Sequence, residues 1–171
     1  EKSLVDYDDL LVLLRDLVRD HPDVAQQLSR AFRYVMVDEY QDTNRLQAEI
    51  VRGLAATHDN VMAVGDDSQS IYAFRGATFR NIMEFPDLFT GTRIVKLEEN
   101  YRSTQPILDL ANAVIDRAPE KYTKVLRTRR ANGARPILFQ CVDEQTQSRM
   151  VCQRILELRE EGVPLDEVAV L

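Results

Sequence analysis

Cysteine is scarce in this chain of 171 residues, where Cys141 and Cys152 are the only two. They form no Cys-x-x-Cys pair and neither has a histidine beside it. Neither a metal clamp nor a disulfide framework is expected, and two small buried hydrophobes in a reducing cytoplasm fit better. Long apolar runs are missing as well. None approaches the ~20 residues that span a bilayer, and the opening Glu1-Lys2-Ser3-Leu4 carries no signal-peptide pattern. No membrane partner is expected, and the cytoplasm is the expected compartment. The chain does not open on Met, as expected of a piece cut from a longer protein. A last absence concerns chemistry. No Gly-x-x-x-x-Gly-Lys-[Ser/Thr] occurs, so these residues hold no loop to cradle the α- and β-phosphates of a nucleotide.

What is present is enough for a folded core, since 44% of the residues are hydrophobic. The net charge of −6 argues against a protein that simply coats nucleic acid, which would be basic. A local patch runs the other way. Arg117, Lys121, Lys124, Arg127, Arg129, Arg130 and Arg135 are opposed only by Glu120. It is either a solvated linker or a phosphate contact.

The chain is organised around Tyr34-Val35-Met36-Val37-Asp38-Glu39-Tyr40-Gln41-Asp42-Thr43-Asn44. A short continuous apolar run predicts a strand buried on both faces, as in a parallel sheet. It ends on two carboxylates. In open α/β sheets ligands bind at that carboxyl edge. One acid there can hold a divalent cation while the other takes a proton from water. Asp also caps helices, so acids after a strand can be merely structural.

The rest follows an α/β pattern. Residues 7–19 predict an amphipathic helix with Leu10, Leu13, Leu14 and Leu17 inward, capped by Asp6 or Asp8. A second helix opens at Pro22, runs to 31, and turns Val24, Leu28 and Phe32 inward. Thr43 or Asp42 should cap a third over 44–56, with Leu46, Ile50, Val51 and Leu54 on its core face and Gly53 tolerated at modest cost. Val61–Val64 is a second buried strand and again ends in acids, Asp66 and Asp67. A strand–helix–strand unit puts Asp38, Glu39 and the 66–69 segment on one rim. His58 belongs to a surface turn. Phe79–Phe85 predicts a short helix stopped by Pro86, in which both phenylalanines pack. A third strand, 92–97, leads to Glu98-Glu99-Asn100-Tyr101-Arg102-Ser103-Thr104. Ser103 or Thr104 then caps a helix over 105–117. After a connecting stretch come a strand at 136–139, a helix over 144–160 and a strand at 168–171.

Several strings resemble one family in order. Val37-Asp38-Glu39-Tyr40-Gln41-Asp42-Thr43-Asn44 resembles motif II of the UvrD/Rep-type superfamily 1A DNA helicases. Val64 to Ala77 resembles their motif III, Leu97 to Thr104 their motif IV, and Val168–Leu171 the strand before a later Tyr-Arg pair. The resemblance covers Tyr7 to Leu171. It implies a RecA-like, P-loop NTPase-type parallel sheet flanked by helices, with residues 1–104 the rear of a first lobe and 105–171 the start of a second. It implies a central fragment of an ATP-dependent 3′-to-5′ helicase that uses Mg²⁺, without the phosphate loop and motifs V and VI. The isolated chain is expected to be inactive. Partners would be single-stranded DNA or a single/double-strand junction, and the remainder of the helicase.

Residue by residue, the resemblance makes Asp38 the Mg²⁺ ligand and Glu39 the base that deprotonates the attacking water. It makes Gln69 the γ-phosphate sensor, Arg102 the arginine finger, and Tyr101 the residue against adenine. Phosphoryl transfer asks for such a set: a metal, a positioned water and a cation for the transition state. Tyr72, Phe74 and Arg75 match positions that contact single-stranded DNA, although the family usually has Trp where Phe74 stands. Alternatives stay beside these. Arg102 could be paired with Glu98 or Glu99, and Tyr72 and Phe74 could be core. Asp38, Glu39, Asp66 and Asp67 could form a two-metal nuclease site, or the chain could be a non-catalytic binding module.

Overall fold

The computed structural model describes residues 4–71, 76–130 and 133–170. They divide into two compact units, Glu1–Asn132 and Gly133–Leu171.

In the first unit, β1 (Val35–Val37) pairs in parallel with β2 (Val61–Ala63), Val35 opposite Val61 and Val37 opposite Ala63. Helix α3 (Arg45–Leu54) connects them. The two-residue period of a strand puts Val35, Val37, Val61 and Ala63 on one face. That face packs on Tyr40, Ala48, Val51, Ala55, Phe85 and Phe89. The Tyr40 and Phe85 rings meet edge to face with centroids 5.3 Å apart. On the other face Tyr34, Met36, Met62 and Val64 are exposed. Burial on both faces, the sequence expectation, therefore holds for one face among the described residues.

Helices α1 (Tyr7–Asp20) and α2 (Pro22–Ala31) follow their predicted bounds closely. Asp6 caps α1, its carboxylate accepting the Asp9 N–H at 2.8 Å. The buried face of α1 differs from the expected one. Val18 is buried, whereas Leu10, Leu13 and Leu17 are exposed. Apolar residues lie on most sides of this helix, so spacing alone leaves its rotation open. Phe32, expected inward, is exposed too, and Ala25 and Ser29 are the buried residues of α2. Gly53 lets α1 approach α3, because a Cβ there would stand 2.5 Å from Val18 Cγ2 and 2.9 Å from Val18 Cβ. His58 is more than a surface turn residue. Its Nδ1 accepts the Asn60 N–H, so its Nε2–H faces the carbonyls of Ser29 (3.0 Å) and Phe32 (2.9 Å).

The cap of α3 is Asn44, whose side chain accepts the Gln47 N–H while Gln47 accepts the Asn44 N–H, both at 2.9 Å. Thr43 does not serve, its hydroxyl donating to the Tyr40 carbonyl and accepting from the Asn81 amide instead. Helix α4 (Arg80–Leu88) runs through Pro86 where a stop was expected. Proline lacks the N–H that would satisfy the carbonyl four residues back. That carbonyl belongs to Ile82, and the Tyr122 hydroxyl donates to it at 3.1 Å. The expected packing of Phe85 is observed, since it is buried.

Residues 92–97 form no strand, and Ile94, Val95 and Leu97 are exposed. Extended apolar residues become a strand only when a neighbouring backbone pairs with them. Here, among the described residues, the pairing is reduced to a single parallel bridge, Glu99 to Arg127. Helix α5 (Gln105–Ile115) begins after Thr104, which makes no side-chain cap bond. In the second unit α6 (Glu144–Glu160) is capped by Asp143 through the Thr146 N–H at 2.6 Å. The strands expected at 136–139 and 168–170 are not formed, and Leu171 lies outside the described residues. Cys152 is exposed, which corrects its reading as a buried hydrophobe. Among the described residues no helix is long and apolar enough to cross a membrane.

Candidate functional site

The carboxyl ends of β1 and β2 are stitched together. Val64 N–H donates to the Val37 carbonyl at 2.8 Å and Tyr40 N–H to the Val64 carbonyl at 2.9 Å. Between these bonds the chain turns sharply at Glu39, whose φ of 51° and ψ of 42° are left-handed. That conformation costs a non-glycine residue about 1–2 kcal/mol, so its surroundings must hold it. Two contacts do. Glu39 N–H donates to Asp38 Oδ1 at 2.9 Å, and the Gln41 amide donates to Glu39 Oε2 at 2.7 Å.

The segment after β2 is fixed from the other side. Gln41 Oε1 accepts the Asp66 N–H at 3.0 Å, and the Ser70 hydroxyl donates to the Gln41 carbonyl at 3.2 Å. Asp66 caps a tight turn at Asp67–Gln69, its Oδ1 accepting the Ser68 N–H (3.0 Å) and its Oδ2 the Gln69 amide (2.8 Å). Lys124 also donates to Asp66 and lies 3.4 Å from Asp67. Burial alone would raise the Asp66 pKa, but the bonds from Lys124, Gln69 and Ser68 and the charge of Lys124 outweigh it and hold the carboxyl below its ordinary value. Tyr122 N–H donates to Asp67 Oδ2 at 3.1 Å. Burial, then the charges of Asp67 and Asp87, raise the pKa of the Tyr122 hydroxyl.

Asp38, Glu39 and Gln69 thus lie exposed on one rim, with Glu39 and Gln69 linked through Gln41 and Asp66. Tyr101 and Arg102 lie on a separate turn. Asn100 Oδ1 accepts the N–H groups of Arg102 (2.9 Å) and Ser103 (2.7 Å). Tyr101 is exposed and lines an open groove with Glu99, Thr128, Arg129 and Arg130. The ion pair considered for Arg102 is not formed among the described residues. Glu99 pairs with Arg129 at 2.8 Å and Glu98 accepts the Val125 N–H at 3.0 Å. Nor does any bond among the described residues join Arg102 to Glu39 or Gln69.

Residues 1–90 match the model of the UvrD/REP helicase N-terminal domain, and residues 95–171 match that of the UvrD-like helicase C-terminal domain. The chain belongs to the UvrD/Rep helicase family. It is 38% identical over 170 residues to DNA helicase II of Rickettsia typhi, covering 99% of this chain and 26% of that protein. It is 43% identical over 156 residues to the ATP-dependent DNA helicase PcrA of Leuconostoc citreum, covering 91% and 21%. It is 40% identical over 169 residues to DNA helicase II of Escherichia coli K12, covering 99% and 24%. The chain therefore spans about a quarter of the length of these curated relatives.

Within this UvrD/Rep-family chain, Tyr72, Phe74 and Arg75 lie outside the described residues. Within the basic patch Lys121 and Lys124 are half-buried, while Arg117, Arg127, Arg129, Arg130 and Arg135 are exposed. Lys121 pairs with Asp116, Lys124 with Asp66 and Asp67, and Arg129 with Glu99. No three His, Cys, Asp or Glu side chains among the described residues gather into a cation cage. Asp38 has one carboxylate oxygen free of protein partners among those residues. Such a lone hard oxygen fits Mg²⁺, which keeps several waters and takes phosphate oxygens for the rest. It does not fit a two-metal nuclease, whose further ligands Asp66 and Asp67 are held by Lys124. The role of Gln41 was not found from sequence, and Lys124, read there as part of the basic patch, instead holds Asp66 and Asp67. The partners of Gln41 and Lys124 lie 25 and 58 residues away, beyond the reach of any local pattern.

Proposed function

We propose that these residues carry the hydrolytic centre of an ATP-dependent 3′-to-5′ DNA helicase, in a RecA-like core divided near residue 104. The observation that supports this best is the strained Glu39, which sets an exposed carboxylate at the end of β1, tied through Gln41 to the turn that carries Gln69. Asp38 would hold Mg²⁺, which when bound neutralises charge on the phosphates. Glu39 would take the proton from the attacking water. The Gln69 amide would meet the terminal phosphate, exchanging its bond to Asp66 for one to substrate. Arg102 would stabilise the transition-state charge, a role worth roughly 10³–10⁵ in rate, and Tyr101 would lie against the base. Tyr72, Phe74 and Arg75 would bind single-stranded DNA by stacking and charge.

The test is ATP turnover by the complete helicase polypeptide that carries these residues. Glu39→Gln should reduce Mg²⁺-dependent hydrolysis to a small residual rate while leaving nucleotide binding in place. Full turnover in that variant would remove Glu39 as the base and the reading with it.

A further inference from the structure

Gln41 is 1% exposed and yet fully polar. Burying an amide is costly unless both of its ends are satisfied. Both are. The orientation of the amide is not free either: the Glu39 carboxylate can only accept from it and the Asp66 N–H can only donate to it. Space confirms the seat. A Cβ at Gly65 would stand 2.5 Å from Gln41 Oε1, so the glycine before Asp66 is what lets the amide in.

We propose that Gln41 is a positioning residue for hydrolysis, aiming the Glu39 carboxylate and locking it to the Asp66–Gln69 turn. The proposal rests on Glu39 being the base. One side chain then sets two things together. It holds the left-handed Glu39 with its carboxylate fixed, and it fixes the backbone of the residue to which Gln69 is bonded. When Gln69 releases Asp66 for a phosphate, the Asp66 N–H stays held by Gln41. The base therefore keeps its aim while the sensor moves.

The selective variant is Gln41→Glu in the complete helicase polypeptide. Its carboxylate still accepts from Asp66 N–H, but when ionised it cannot donate to Glu39 and repels that carboxylate instead. A hydrogen bond to a charged group corresponds to about ten- to a hundredfold in rate. The expected result is a fall of at least that size in kcat for ATP, with KM within about twofold and a lowered thermal midpoint, because the buried carboxylate faces that of Glu39. In a Glu39→Gln background the same substitution should cost nothing more. An unchanged kcat, or an equal loss in both backgrounds, overturns the proposal while leaving Glu39 as base. Full turnover in Glu39→Gln alone overturns both. If Gln41→Glu does not fold, Gln41→Met carries the same cycle, with faster hydrogen exchange at the Asp66 amide as its structural signature.

Discussion

Replacing Gly53 by alanine sets two effects of known size against each other. Within a helix, Gly→Ala is favourable by about 1 kcal/mol, and the gain is smaller near a helix end such as this. Against it stands Val18. The new methyl would sit 2.5 Å from Val18 Cγ2, where carbon atoms prefer about 3.5–4.0 Å. Relief needs about 1 Å of movement. Val18 is buried and β-branched, so its rotamer is stiff, and its Cβ is also too close, at 2.9 Å. The helices must part, and overpacking of this kind costs about 1–3 kcal/mol. G53A should therefore be net destabilised by up to about 2 kcal/mol, seen as a lower urea midpoint at unchanged slope. Val18→Ala removes the Cγ2 contact and leaves the Cβ one, so it should relieve the clash in part, making V18A/G53A more stable than the two single effects predict by more than the ~0.5 kcal/mol of additive behaviour. A G53A protein as stable as the parent, or strict additivity, would show that α1 does not press on α3 at this point.

Other expectations concern the site and its supports. Tyr122→Phe removes the donor to the Ile82 carbonyl freed by Pro86, and should cost about 1 kcal/mol in chemical denaturation; no change would mean that the carbonyl finds water instead. Because the folded Asp66 carboxyl is held below its ordinary value, its contribution to stability is present above the unfolded pKa of about 3.9 and is lost as pH falls through the folded value. The stability gap between the parent and Lys124→Met should therefore narrow from pH 7 to about pH 3, and a constant gap in urea midpoints refutes the ion pair's role. The 171-residue chain itself should show no Mg²⁺-dependent ATP hydrolysis, since no phosphate loop is among its residues; measured turnover lost on Glu39→Gln would contradict this. Fluorescence anisotropy at low salt should detect weak binding to single-stranded DNA that falls on Phe74→Ala, and a flat titration counts against the assigned contacts.

Helix bounds were legible at Asp6 and Pro22, where a cap and a proline mark them. The two strands and their acids were legible because a short apolar run changes abruptly to charge. Faces were less so. The helix over 7–20 carries leucines on several sides, and only its contact with α3 selects Val18. Proline misled at residue 86, since a missing N–H ends a helix only if nothing else satisfies the freed carbonyl, and Tyr122 does so from 40 residues away. The strands at 92–97 and 136–139 failed for a related reason, because pairing depends on a neighbour that composition does not reveal. Within the site, the exposed residues of the motifs could be named, but the buried glutamine that aims one of them could not.

Residues 121–130 are gripped mainly by their main chain. The N–H groups of Tyr122, Val125, Leu126, Arg127 and Thr128 donate to Asp67, Glu98, Asn112, the Glu98 carbonyl and Gln105. Chemistry at Val125 or Arg127 is therefore open to wide substitution, because the amide hydrogen and not the side chain is what the neighbours hold. Proline is the exception at each of these five positions, since it alone deletes that hydrogen. A saturation scan of residues 125–128 should return tolerance interrupted by one residue type, unlike Tyr122 and Lys124, whose side chains themselves hold neighbours.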